Sequence, residues 1–298
     1  MNEKINNTSE SEIFEIKIDI PNDQLDILGD FISENICSGF IEEEKLDAPI
    51  TTLTFYLLPD EVDNKIELLK KYLAELAKRE KITLQEISIG KINKVAYEDE
   101  YKKNAQPVII DDLIIVRPPW INNINDYKYD IVIEPKMAFG TGKHETTRSC
   151  LKIMLDNLKC GDRFLDMGCG SGILSIMADK MGASYIKAID YDVVAIENCK
   201  ENLEFNKATA PYEVIFGSIE KCINDKLYNY ICANIIKSTI LEMIDQLVDI
   251  TAENGTLILS GLLAPDLDEI KDALKRNNIS NINIHPDNEW RTLIIKKV

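Results

Sequence analysis

Histidine and paired cysteine are scarce in this sequence. Its 298 residues include two histidines, His144 and His285, and its seven cysteines form no C-x-x-C pair. Zinc sites need clustered cysteine or histidine ligands, and disulfide frameworks need regularly spaced cysteines. The sequence therefore predicts no metal site, no disulfide framework, and reduced thiols that are mostly buried.

The sequence also lacks an apolar run of the length that crosses a bilayer. Residues 1–12 are polar and acidic, without the basic and apolar regions of a signal peptide. With 298 residues, of which 45% are hydrophobic, the chain has the composition of a globular protein and the length for two domains. We expect a cytoplasmic protein with no membrane partner.

The sequence also has few basic residues relative to acidic ones. The chain has 34 basic and 51 acidic residues, which gives a formal net charge of −17. A surface this acidic repels phosphate backbones, so direct nucleic-acid binding is disfavoured, whereas a basic protein partner is attracted. The alternative is that the acidity serves only solubility.

The first ninety residues follow the order β-α-β-β-α-β. Helical spacing of apolar residues begins after Pro21 and again after Pro59. Strand patterns fall at 13–20, 40–43, 52–58 and 82–89. This order is typical of a ferredoxin-like α+β domain. No residue in it has obvious chemistry, so we interpret it as a binding platform.

From about residue 128 the pattern becomes one of alternating strands and helices. Such alternation predicts an α/β fold with a mostly parallel sheet covered on both faces. The two last strands, near 281–286 and 290–297, are joined by so short a turn that they must be antiparallel. The other strands are predicted at 129–134, 163–168, 185–190, 212–217, 227–234 and 255–261, and the helices at 144–158, 172–181, 192–206, 237–250 and 266–276.

A glycine-rich segment, FLDMGCGSGIL at 164–174, joins a predicted strand to the next helix. Glycines let the backbone turn sharply and approach a ligand closely. The spacing is G-x-G-x-G after Asp166, not the G-x-G-x-x-G of dinucleotide sites. It favours S-adenosylmethionine (AdoMet), which has no pyrophosphate. The alternatives are a tight turn without a ligand and, for Cys169, a catalytic thiol rather than simply a small side chain.

An acidic residue ends the strand that follows the glycine segment. Asp190 stands at about the distance where a Rossmann-type unit places a carboxylate for ribose hydroxyls. A carboxylate at this position can also be a helix N-cap. Asp192, directly before the next predicted helix, fits the cap better, which leaves Asp190 for the ribose.

Three segments resemble the ribosomal protein L11 methyltransferase family. They are AFGTGKHETT at 138–147, DMGCGSGIL at 166–174 and ANI at 233–235. The resemblance extends over essentially the whole chain. It implies a seven-stranded Rossmann-like methyltransferase sheet with an antiparallel last strand, and a small N-terminal α+β domain that binds L11. We therefore predict a substrate-recognition domain at 1–95, a linker at 96–123 and an AdoMet-dependent methyltransferase domain at 124–298.

The resemblance also implies which residues form the site. Thr147, Gly168, Asp190 and Asn234 match the family's AdoMet contacts. Gly168 would admit the methionine part of the cofactor and Asp190 would hold the ribose. Asn234, the predicted catalytic residue, would lie beside the transferred methyl, where its amide oxygen accepts a hydrogen bond from the incoming amine.

Several positions keep a structural alternative. Thr147 can be a helix-capping hydroxyl, and Asn234 can be a turn residue after its strand. His144 can shape the loop or cap the helix as readily as touch a substrate, so it is not assigned as a base. Where family members often carry two tryptophans in the linker, this chain has Tyr97 and Tyr101.

The activity that the resemblance implies is that of a protein N-methyltransferase, a protein-lysine methyltransferase. It would transfer methyl groups from AdoMet to lysine side chains and the N-terminal amine of ribosomal protein L11. The alternatives are a methyltransferase for another protein lysine or a small molecule, and a non-catalytic AdoMet-binding factor in ribosome assembly.

Overall fold

The computed structural model describes residues 12–37, 40–45, 48–78, 87–93, 106–122, 124, 126–134, 142 and 144–297. The chain divides into two compact units, Met1–Ala105 and Gln106–Val298. Within the described ranges, no helix is both long and apolar enough to span a membrane.

In its described residues, the first unit is a four-stranded antiparallel sheet with two α-helices. The sheet has the order β2-β3-β1-β4, and Ile16, Ile18 and Ile20 of β1 are buried because strand side chains alternate between faces. The predicted ferredoxin-like order is confirmed. The last strand is described from Ile87 to Asn93, and 82–86 of the predicted 82–89 lie outside the described residues. The elements are β1 (Glu12–Pro21), α1 (Leu25–Asn35), β2 (Ile41–Glu44), β3 (Ile50–Leu57), α2 (Val62–Lys78) and β4 (Ile87–Asn93).

Three short strands open the described part of the second unit and form a small sheet. They are β5 (Val108–Ile110), β6 (Ile114–Arg117) and β7 (Tyr129–Val132), and helix α3 (Glu145–Asn157) follows. β6 pairs antiparallel with β5 and parallel with β7. β5 and β6 therefore lie within the predicted linker, and their residues Ile110, Ile114 and Val116 are buried in the same core as α3. The division at 95 and 123 stays a prediction.

The main sheet of the second unit has seven strands in the order β10-β9-β8-β11-β12-β14-β13. Strands β8 to β12 pair in parallel, and β14 pairs antiparallel with both neighbours. The predicted α/β fold with an antiparallel last strand is confirmed. The elements are β8 (Arg163–Met167), α4 (Ile173–Lys180), β9 (Tyr185–Asp190), α5 (Val193–Phe205), β10 (Tyr212–Phe216), β11 (Tyr228–Asn234), α6 (Lys237–Ile250), β12 (Thr251–Leu263), α7 (Leu267–Arg276), β13 (Ile282–Asp287) and β14 (Trp290–Lys296).

Helices cover both faces of this sheet. Phe164 of β8 is buried in the core with α3, α4 and α5, whereas the next residue, Leu165, is buried in the core with α6 and α7. A strand that is buried on both faces has apolar residues at consecutive positions, as β8 has at Phe164 and Leu165. With both faces occupied, the carboxyl edge of the parallel strands is where loops and a ligand meet.

Candidate functional site

Three of the predicted site residues lie in one row at the carboxyl edge of the main sheet. Met167 of β8 is aligned with Ile189 of β9 on one side and with Ala233 of β11 on the other. Gly168, Asp190 and Asn234 each follow these aligned residues by one position. The strand order thus brings together residues that are up to 66 positions apart in the sequence.

The glycine loop is tied to β9 at its first residue. The N–H groups of Gly168 and Cys169 both donate to the carbonyl of Ile189, at 2.8 and 3.0 Å. Gly168 has a φ of +74°, and a Cβ added there would lie 2.2 Å from Cγ2 of Ile235. Glycine is therefore required here both by the left-handed backbone and by the close packing of Ile235.

Asp190 holds the middle of the glycine loop. Its Oδ2 accepts from the N–H of Gly170 at 2.9 Å, and its Oδ1 accepts from the N–H of Asp192 at 3.0 Å. Burial raises the pKa of Asp190, against the effect of these two amides. A carboxylate has about four acceptor positions, and the backbone of Tyr191 also bonds to this one, so one position is left for a ligand hydroxyl.

The N-cap of α5 is Asp192, as predicted. Its Oδ1 accepts from the N–H of Val194 at 2.8 Å. A carboxylate in this position satisfies one of the unpaired N–H groups of the first helical turn. The cap and the candidate ribose ligand are therefore two different aspartates, which are separated by one residue.

His144, and not Thr147, caps α3. The Nδ1 of His144 accepts from the N–H of Thr146 at 3.3 Å, and burial lowers the pKa of this imidazole. Thr147 lies in the first turn with 1% of its surface exposed, and its hydroxyl has no hydrogen-bond partner among the described residues. A buried hydroxyl without a partner costs about 1–3 kcal/mol, so this atom is a candidate for a ligand contact.

Asp166, two residues before Gly168, is a further candidate for the site, which the sequence indicates only through its spacing. Its Oδ2 accepts from both the N–H and the hydroxyl of Ser175, at 3.0 and 2.7 Å. Its Oδ1 is buried without a partner among the described residues. Burial raises the pKa of Asp166 to about 7, and the charge of Asp190 adds to the rise. The signal for it in the sequence was an acid between the apolar residues Leu165 and Met167.

The position of Asn234 is fixed by the residue that follows it. Ile235 is packed against Gly168 on one side, and on the other its carbonyl oxygen lies 2.6 Å from where a Cβ of Gly261 would be. Asn234 is the last residue of β11 and is aligned with Ser260 of β12. No hydrogen bond joins its side-chain amide to the part of the chain that the structure describes, so the amide is available to a ligand.

Similarity to known proteins decides the family. The model of the family "Ribosomal protein L11 methyltransferase (PrmA)" matches residues 15–298. The chain belongs to the ribosomal protein L11 methyltransferase family. The resemblance seen in the sequence is therefore confirmed, and the protein is an AdoMet-dependent methyltransferase.

Individual relatives agree with the family match. The ribosomal protein L11 methyltransferase of Caldanaerobacter subterraneus is 31% identical over 86% of this chain and 81% of its own. That of Staphylococcus epidermidis is 32% identical over 88% of each. A solved ribosomal protein L11 methylase from Lactobacillus delbrueckii superposes with a TM-score of 0.58 and 26% identity, over 65% of this chain and all of that one.

The described residues fit the cofactor of this methyltransferase family. AdoMet has a cationic sulfonium and a cationic amino group, and the neighbouring strands β8 and β9 hold the carboxylates of Asp166 and Asp190, two register positions apart. The Thr147 hydroxyl and one oxygen of Asp166 are buried polar atoms without a partner among the described residues. Such atoms are expected where a ligand completes the hydrogen bonding.

Other parts of the sequence pattern lie outside the described residues. Positions 138–141 and 143 of the AFGTGKHETT segment belong to this group, as do Tyr97 and Tyr101. The roles predicted from the resemblance for Thr147, Gly168, Asp190 and Asn234 remain predictions, to which the structure adds the geometry described above.

Asp166 makes the stability of the cofactor-free protein depend on pH. Its pKa is about 7 in the folded state and about 3.9 in an unfolded chain. Between about pH 4 and pH 7 the folded state keeps a proton on Asp166 that the unfolded state releases. The contribution of Asp166 to the free energy of unfolding is therefore complete below about pH 4 and is lost as the pH rises to about 7. The maximum loss is about 4 kcal/mol, at 1.36 kcal/mol per pKa unit.

We expect Asp166→Asn to remove this loss. The amide oxygen still accepts from Ser175, and no buried charge forms at high pH. Urea unfolding without AdoMet should show the variant more stable than the wild type at pH 8 by about 2–4 kcal/mol, with a much smaller difference at pH 4.5. A stability difference that is the same at both pH values would contradict this explanation.

Proposed function

We propose that this protein transfers methyl groups from AdoMet to lysine side chains and to the N-terminal amine of ribosomal protein L11. The observation that carries the proposal is the row of Gly168, Asp190 and Asn234 at the carboxyl edge of the sheet. Its relatives are named for methylating L11. Because L11 is a ribosomal protein, we propose the cytoplasm as the place of action.

Each residue of the site has one task in this proposal. When bound, AdoMet supplies an electrophilic methyl group on a sulfonium. Asp190 accepts hydrogen bonds from the ribose, and the hydroxyl of Thr147 contacts the cofactor. Gly168 has no Cβ, so the side chain of Ile235 can pack against the glycine loop. This packing fixes the position of the preceding residue, Asn234. The amide oxygen of Asn234 accepts an N–H of the incoming amine and so points the nitrogen lone pair at the methyl group.

The amine must lose a proton before it reacts. A free lysine has a pKa near 10.4 and an α-amine near 7.7–8.0, so deprotonation at pH 7 costs about 4.6 and about 1 kcal/mol respectively. Desolvation near apolar side chains lowers that cost, because burial disfavours the charged form. An amide oxygen accepts a hydrogen bond from a neutral amine without adding a negative charge that would keep the amine protonated.

A border of partly exposed apolar residues follows Asn234 and its aligned residue on β12, Ser260. Ile236 is 48% exposed and Leu263 is 37% exposed. Leu263 is aligned with Trp290 of β14, and the Trp290 ring lies edge-on to His144 with 5.0 Å between the ring centroids. Apolar residues of this kind can pack against the methylene chain of a substrate lysine, since only the amino end of that side chain prefers water.

The acidic N-terminal unit is the proposed docking site for L11, within residues 1–95. Residues 1–105 contain 23 acidic and 13 basic residues. An excess of negative charge steers a basic partner toward the enzyme and accelerates encounter. The proposal includes no direct contact with nucleic acid, which this charge would repel.

Purified L11 incubated with methyl-labelled AdoMet tests the proposed function. Mass spectrometry of the product should place methyl groups on lysine side chains and on the N-terminal amine. Labelling of a different protein in a ribosome-depleted extract, with L11 unmodified, would support a different protein substrate. Tight AdoMet binding without transfer to any amine would instead support a non-catalytic assembly factor.

A further inference from the structure

Three asparagines form a polar stripe on helix α5 and the turn after it. Asn198, Asn202 and Asn206 are four residues apart, so they lie on one face of the helix. This face meets two other elements, the end of strand β7 and the glycine loop. Asn198 and Asn202 are almost completely buried, with 1% and 0% of their surface exposed.

Two of these asparagines bind the backbone at the end of β7. The Oδ1 of Asn206 accepts from the N–H of Val132 at 2.9 Å, and its Nδ2 donates to the carbonyl of the same residue at 2.6 Å. The Oδ1 of Asn202 accepts from the N–H of Glu134 at 2.9 Å. Both side chains therefore pair backbone groups that no strand of the small sheet pairs.

Only Asn202 also binds the glycine loop. Its Nδ2 donates to the carbonyl of Ser171 at 2.9 Å and to Oδ1 of Asn198 at 3.1 Å. The orientation of the amide is thus set by three partners, because the oxygen must face Glu134 and the nitrogen must face the other two. A flipped amide would bring three pairs of like groups together.

The glycine loop needs a contact that holds its backbone in place, because two of its residues are glycines on either side of Ser171. Ser171 lies between Gly170 and Gly172, whose φ angles are +51° and +79°. Glycine has wide conformational freedom and no side chain to hold it in one conformation. Asp190 holds the N–H of Gly170, and Asn202 holds the carbonyl of the following residue, Ser171.

We propose that Asn202 is a positioning residue for the AdoMet site. It acts through the carbonyl of Ser171 and not by touching the cofactor, and it couples the conformation of the glycine loop to strand β7. The inference rests on the proposed function, because it takes the glycine loop to be the cofactor site. Loss of this contact lets the loop sample conformations that do not bind AdoMet, which weakens binding without altering the bound state.

Asn202→Ala and Asn206→Ala are a matched pair that tests this. Both variants lose bonds to the backbone at or just after the end of β7, and both should unfold at a lower urea concentration than the wild type. Only Asn202→Ala should raise the Kd of AdoMet by calorimetry, by about tenfold, as expected for one hydrogen bond. Its KM for AdoMet should rise in proportion, whereas kcat at saturating AdoMet should stay within about threefold.

Asn202→Asp separates the two contacts of the side chain. It keeps an oxygen for the N–H of Glu134 and loses the N–H that faces Ser171, so weaker AdoMet binding is again expected. Equal AdoMet affinity in the wild type and both Asn202 variants would overturn the inference, as would equal weakening in Asn206→Ala. Failure of the wild type to bind AdoMet would overturn the proposed site together with it.

Discussion

Asn234→Ala is expected to lower kcat for methylation of L11 by about 100-fold or more, and to change the Kd of AdoMet by less than about tenfold. The alanine removes the amide oxygen that orients the incoming amine, and a positioned hydrogen-bonding group at a reacting centre contributes on this scale. The measurement is single-turnover transfer from labelled AdoMet, with calorimetry for cofactor affinity. A drop in kcat without a matching change in affinity identifies an interaction made mainly in the transition state.

Asn229→Ala is the control for this prediction. Asn229 lies on the same strand, β11, but near its amino end, where its Oδ1 accepts from the N–H of Arg163 at 3.0 Å. Removing it should lower stability and leave kcat close to that of the wild type. An Asn234→Ala enzyme with wild-type kcat would contradict the catalytic assignment and favour the alternative of a simple turn residue.

Asp190→Asn is expected to raise the Kd of AdoMet by about 100-fold. The aspartate accepts from the N–H groups of Gly170 and Asp192 with its two oxygens. An asparagine has one oxygen, so one of these N–H groups would face an amide NH2 and the glycine loop would lose an anchor. The variant also loses the acceptor for the ribose, and hydrogen bonds to charged groups contribute about 1.5–3 kcal/mol each.

Asp192→Asn is the matched control, two residues away. Asn and Asp are about equally good N-caps, so the bond to the N–H of Val194 survives and AdoMet affinity should stay within about twofold of the wild type. Equilibrium binding followed by calorimetry compares the two variants directly. Equal affinities in Asp190→Asn and Asp192→Asn would place the ribose elsewhere.

Much of the fold could be predicted from the sequence because the period of apolar residues changes visibly at the element ends. The short turn between β13 and β14 was enough to predict an antiparallel hairpin, and the structure has one. The pattern at 129–134 predicted a strand correctly but not its sheet. Periodicity shows that a segment is extended, whereas the pairing of β7 with β6 depends on a packing that no local pattern encodes.

The residues of the site differ in how far the sequence alone predicts their role. Gly168 and Asp190 are recognisable from the glycine spacing and from an acid at a strand end. Asn234 depended on the family resemblance, because its nearness to Gly168 follows from the strand order alone. Asn202 was missed because its partners Ser171 and Glu134 are 31 and 68 residues away in the sequence, and a buried asparagine on a helix has no local signature.

A crystal structure with S-adenosylhomocysteine, the product left by the cofactor, tests the central claim most directly. We predict the ribose hydroxyls within hydrogen-bond distance of Asp190, the amino-acid part beside the glycine loop, and the sulfur facing the amide of Asn234. A product bound elsewhere, or bound at the carboxyl edge without contact to Asp190 and with Asn234 turned away, would contradict the account.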